Sequence, residues 1–135
     1  MMRSLIVIMS FLSLFLYSGY TQAEEPSPDI TGCWCGHWES CTDGHSGPLW
    51  ASICKVNDDC YQARFGGRFL GIIPFRYVQD LRVVKREGNK ITLAGERQLG
   101  PIMGTFSYTA TVTAHDFVAS YSSKRDSGSF IMRKH

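Results

Sequence analysis

From Thr31 to near the end of the chain, apolar and polar residues alternate with a period of two. That period belongs to strands that bury one face, and no stretch carries the 3.6-residue period of an amphipathic helix. Turn-forming residues divide the run into eight strands, at about 32–41, 47–55, 60–69, 73–85, 90–97, 104–113, 115–123 and 127–134. The connections between them are mostly short, as hairpins require.

The alternation assigns the faces. Trp34, Trp38, Leu49, Ala51, Ile53, Tyr61, Ala63, Phe65, Phe75, Tyr77, Leu81 and Val83 fall on one side. Ile91, Leu93, Phe106, Tyr108, Ala110, Val112, Phe117, Ala119, Tyr121, Phe130 and Met132 continue it. The other side is polar, most plainly in Thr105, Ser107, Thr109, Thr111 and Thr113. Antiparallel strands with one dry and one wet face predict a single curved sheet. Eight of them in a meander predict an all-β, eight-stranded antiparallel up-and-down barrel with essentially no helix, since closure removes the exposed edges. Gly66, Gly67 and Gly71 are expected to supply the bends and bulges that closure needs.

Residues 1–23 stand apart from this pattern. Arg3, a mostly apolar run from Leu5 to Leu16, and Thr21-Gln22-Ala23 read as a secretory signal peptide cleaved after Ala23. The expected location is therefore secreted or periplasmic. Residues 24–30 form an acidic, proline-rich lead-in expected to be flexible, and 31–135 the single barrel domain. Loss of the leader leaves 112 residues with 13 basic and 12 acidic side chains. This length excludes a two-domain enzyme, a Rossmann pair and a (β/α)₈ barrel. A net charge of +1 excludes nucleic-acid binding by bulk charge. No second apolar run is long enough to span a bilayer, so no stable membrane insertion is expected; an oligomer stays open.

All five cysteines lie in the exported part: Cys33, Cys35, Cys41, Cys54 and Cys60. Export favours disulfides. Cys54 and Cys60 flank an Asn-Asp-Asp turn on the outer face and are the expected pair; Cys33, Cys35 and Cys41 compete for a further bridge. Cys33, Cys35 and His37 share a strand face, but C-x-C on a strand splays its ligands, so no metal is expected.

Gly32-x-Trp34 opens the first strand and Arg133 ends the last. This resembles the calycin superfamily of lipocalins, fatty-acid-binding proteins and avidin-like proteins. There a G-x-W opens strand one and an arginine from the chain end packs across the tryptophan. Strict alternation from Phe130 and Met132 instead puts Arg133 outside, and the lipocalin T-D-Y motif is not present. Gly44-His45-x-Gly47-Pro48-Leu49 and Asp126-x-Gly128-x-Phe130 also resemble phrases of secreted bacterial proteins, which implies no activity. The resemblance implies a barrel with one open mouth.

A meander sends loops 1–2, 3–4, 5–6 and 7–8 to the same end. That end collects the glycines and mixed charges, including Asp43, His45, Arg68, Arg97 and Arg125. The expected ligand-binding residues are Trp38, His45, Phe75, Tyr77, Phe106, Tyr108, Tyr121 and Arg125, whose aromatic wall suits a small apolar or aromatic ligand. The alternative is a structural or interaction module with a filled core. Twelve inward aromatics, Phe69 among them, suffice to plug so small a barrel. Buried tyrosines would need partners, and Gln79 on the same face is one candidate. Catalysis is not expected. Gly44-His45-Ser46-Gly47-Pro48 lacks the strand-to-helix turn of a nucleophile elbow. His45 beside Asp43, facing Asp126, is the strongest acid–base grouping. No cofactor is expected.

Overall fold

The computed structural model describes residues 27–98 and 100–135. The expected signal peptide at 1–23 lies outside the described residues. Eight strands follow one another: β1 (Gly32–Ser40), β2 (Ser46–Asn57), β3 (Cys60–Phe69), β4 (Ile73–Glu87), β5 (Lys90–Gln98), β6 (Thr105–Val112), β7 (Asp116–Ser122) and β8 (Ser127–Lys134). One helical turn, α1 (Gly100–Met103), bridges β5 and β6. Each strand pairs antiparallel with the next, and β8 returns to β1 to close the barrel. The closing ladder runs from Trp34↔Lys134 to Ser40↔Gly128.

The expected inward face is the observed core. In β6 every second side chain is buried while the threonines and Ser107 face water. Phe75, Tyr77 and Val83 are half-buried against the core cluster. Inward glycines allow the strands to approach where the barrel closes. A Cβ on Gly36 would run into the Ile131 carbonyl of β8.

Four expectations need correction. The lead-in does not stay loose up to the barrel: Ile30 is fully buried and plugs the end where β1 begins. Trp34 Nε1 donates to the Ile30 carbonyl at 2.9 Å, and Lys134 Nζ donates to the Asp29 carbonyl at 2.7 Å. Consequently no arginine packs over Trp34. Arg133 is exposed and pairs with Asp116 at 3.3 Å, as alternation requires.

Gly66 and Gly67 also act differently from the expected bulges, since the ladders run through both without interruption. They make room instead: the Trp50 indole lies over Gly66 and the Phe75 ring over Gly67. The register shifts fall at Lys55/Asn57 and Val83/Lys85. The β2–β3 register also keeps the expected disulfide pair apart. Cys54 sits opposite Gln62 and Cys60 opposite Asn57, so the two cysteines are diagonal neighbours. Diagonal neighbours stand roughly 7–8 Å apart, beyond the usual Cα span of a bridge. All five cysteines are free thiols.

Finally, the β4–β5 ladder covers only half of β4. It runs from Glu87↔Lys90 to Arg82↔Ala94 and stops. Above it side chains lace the strands: Gln79 Nε2 donates to the Glu96 carbonyl at 3.2 Å, and Arg97 donates to the Val78 carbonyl.

Because Ile30 fills the closed end, Ile30→Ala is expected to cost about 2–4 kcal/mol of folding stability. Urea unfolding of residues 24–135 measures this; a loss near zero would mean that the lead-in is not part of the core.

Candidate functional site

The loops β1–β2, β3–β4, β5–β6 and β7–β8 surround one end. Below them lies a cavity of about 370 Å³. Its wall is built from rings that alternation aims inward at the upper level of the barrel: Trp38 from β1, Phe75 and Tyr77 from β4, Phe106 and Tyr108 from β6, Tyr121 from β7 and Phe130 from β8. The lower level is packed solid by Trp34, Leu93, Val112, Phe117 and Met132. The barrel is thus filled at one end and hollow at the other.

The rings hold one another in place. Phe75 and Tyr77 stack with centroids 6.2 Å apart, and Tyr77 stacks on Phe65 at 5.1 Å. Tyr121 packs on Phe130 at 5.0 Å. Trp38 stacks on Phe69 at 5.9 Å, while its indole N–H donates to the Arg68 carbonyl at 3.2 Å. Phe69, expected inside, is therefore a partly exposed lip of the cavity.

Three charged groups also line it: Arg76, Arg97 and Asp126. Asp126 is satisfied within the fold. Ser40 Oγ donates to it at 2.5 Å and the Tyr121 hydroxyl at 3.3 Å. Arg97 lies over the Tyr77 ring with its guanidinium carbon 5.6 Å from the centroid. Its Nε is buried without a partner, as is Gln79 Oε1. Neither arginine has a carboxylate partner among the described residues. Gln79 bonds backbone carbonyls across the β4–β5 gap and does not cap the tyrosines as expected.

Of the eight expected site residues, the cavity brings together six. His45 and Arg125 do not line it. His45 stands half-exposed on the rim, its Nδ1 3.0 Å from Asp43 Oδ2 and its ring edge-on to Phe69. Asp126 engages Ser40 and Tyr121 instead of His45, so the acid–base grouping does not assemble. Arg125 is exposed in the β7–β8 turn. Phe130, expected inward, also lines the cavity, while Leu49, Phe69, Arg76, Arg97 and Asp126 are lining residues outside the expected set. For Arg97 a signal existed: it follows Ile91, Leu93 and Gly95 in steps of two. Asp126 lies in a turn, where periodicity is mute.

Burial raises the tyrosine hydroxyls above their ordinary value of 10.0. Desolvation dominates at Tyr77, reinforced by neighbouring Tyr108, and at Tyr121, reinforced by the Asp126 carboxylate. Tyr108 is raised by desolvation as well. A raised folded value favours the neutral phenol in the fold, so this stabilisation is fully present below about pH 10 and is lost as pH climbs above it. Tyrosinate absorbance in an alkaline titration should therefore rise for these three residues only together with unfolding. Their ionisation near pH 10 in a protein of native circular dichroism would contradict the buried placement.

No protein-family model matches the chain, and no curated protein matches it. A solved structure of EF1p2_mFAP2b bound to DFHBI is similar in fold, with a TM-score of 0.56 and 11% sequence identity over 78% of this chain and 94% of that chain. The likeness is one of fold alone, and the fold of this chain is a closed eight-stranded antiparallel β-barrel.

Proposed function

We propose that the protein is an exported, non-enzymatic binding barrel whose mouth cavity takes one small, flat, apolar or aromatic molecule. The observation that carries this reading is the uneven filling of the barrel. Side chains pack the lower level completely, yet seven aromatic rings at the upper level leave about 370 Å³ between them. A barrel needing only a core would collapse there, because an empty cavity forfeits dispersion contacts. The volume is at the small end of the range for small-molecule pockets, and the lining of rings with a few polar groups is typical of them. The similar barrel of 11% identity is described as bound to DFHBI, which supports the capacity of such a fold to hold a small ligand. The leader-like first 23 residues support export. Asp126 is held by Ser40 and Tyr121 and not by His45, so the expected acid–base grouping does not assemble, which favours binding over catalysis.

The neutral naphthalene dye prodan tests the reading. Its emission should shift to the blue on binding the mature protein. Phe75→Ala, which truncates a half-buried wall ring, should weaken binding about tenfold or more. His45→Ala and Arg125→Ala, on the rim, should leave it unchanged. Absence of binding, or equal binding by the Phe75 variant, would sink the proposal.

A further inference from the structure

One corner of the mouth is built unlike the rest. The hairpin of β3 and β4, from Tyr61 to Gln79, carries Arg64, Arg68 and Arg76 and not one acidic residue. All three arginines are exposed, and none has a carboxylate partner among the described residues. At its tip the polar side chains expected of an exposed turn are replaced by Leu70, Ile72 and Ile73, which are 53%, 81% and 50% exposed. Phe69 is partly exposed beside them, and Trp50 and Val78 are exposed on the hairpin's outer flank. Trp50, Arg64, Arg76 and Val78 share one shallow hollow there.

The backbone is held in this display. Leu70 is the one non-glycine residue with a positive φ among the described residues, at 54°. A bulky side chain in the left-handed region is strained, and such strain points to a functional constraint. A turn of this shape would accept asparagine or glycine more readily; leucine there spends stability to place an aliphatic group in water.

We propose that the β3–β4 tip docks the barrel, mouth first, onto an anionic lipid surface. The apolar tip would enter the boundary between headgroups and acyl chains. Trp50 would lie at headgroup level, where the amphipathic indole is most at home. The unpaired arginines would face anionic headgroups, each adding electrostatic attraction that salt screens. Lys124 and Arg125, in the β7–β8 turn at the same end, add to the positive side. A shallow contact of this kind needs no spanning element, and no helix among the described residues is long and apolar enough to cross a membrane. The charge decides among possible occupants: a second copy would bring the same unpaired arginines face to face. The tip borders the cavity, with Phe69 and Arg76 belonging to both, so an apolar ligand could pass between bilayer and barrel without crossing water.

Co-sedimentation of the mature protein with vesicles tests the docking. Vesicles of equal parts phosphatidylcholine and phosphatidylglycerol should pellet it, and vesicles of phosphatidylcholine alone should do so far less. High salt should reduce the pelleted fraction. Leu70→Asn with Ile72→Ser, both exposed and the first relieving strain, should lower vesicle affinity about tenfold or more at an equal or higher thermal midpoint. Arg64→Gln with Arg68→Gln should weaken the preference for anionic vesicles. The proposal is overturned if the unaltered protein does not pellet, if the Leu70/Ile72 variant pellets equally well, or if the tip instead mediates a concentration-dependent dimer that this variant loses. Prodan binding is a separate readout, so failure of docking and failure of the cavity reading are distinguishable.

Discussion

The ladder that joins β8 to β1 is the constraint on which everything else depends. Once the sheet is closed, the strand edges left are those of upper β4 and β5, and every second residue of eight strands must share one interior. That interior is fixed in width by strand number, so it can only be divided along its axis. The close approach at Gly36, where β1 lies against the Ile131 carbonyl, shows how tightly the closure is set. At the lower level large aliphatic and aromatic groups meet across the axis, with Trp34 and Phe117 edge to face at 5.9 Å. Alanines at 51, 63, 110 and 119 occupy the middle of the walls and let Phe65 reach inward. Higher up, the rings stack along the wall on each other, and the space between them stays open.

The two ends are finished by opposite means. The closed end is sealed by chain termini: Ile30 as plug, Trp34 bonded to its carbonyl, and Lys134 held by Asp29. Each of these groups satisfies a polar atom or fills a void, which is what a structural end requires. The open end leaves apolar groups in water and cations unpaired. Asp126 is the exception, since Ser40 and Tyr121 tie it into the wall and so pin the β7–β8 turn to β1.

Most of this was readable from period-two alternation, because a residue's face in a strand follows from its parity alone. That is why the expected inward residues from Trp34 to Met132, Phe69 excepted, are buried or half-buried, and why six of the eight expected site residues line one cavity. Parity gives the shared outer face of Cys54 and Cys60 but not their register, which sets Cys54 opposite Gln62 and Cys60 opposite Asn57. Parity is also silent about turns and termini, which is why Ile30, Asp126 and the rim placement of His45 escaped it. Gly66 and Gly67 were misread for a different reason: a glycine in a strand signals lack of room as often as a bend. There the occupants are the Trp50 and Phe75 rings, both distant in sequence.

The half-length β4–β5 ladder ties these points together. Where the backbone bonds stop, the cavity begins, and Gln79 and Arg97 replace ladder bonds by side-chain bonds. Side-chain bridges are longer and can change partner, so this is the most yielding stretch of the cavity wall. The same stretch holds the two buried polar atoms left without partners, Gln79 Oε1 and Arg97 Nε. A buried donor or acceptor left without a partner costs on the order of 1–3 kcal/mol. A barrel under selection for stability alone would remove that cost by extending the ladder. The stretch lies beside the aromatic cavity and under the apolar, cationic β3–β4 hairpin, so the upper half of the barrel holds its unsatisfied groups and the lower half its closed core.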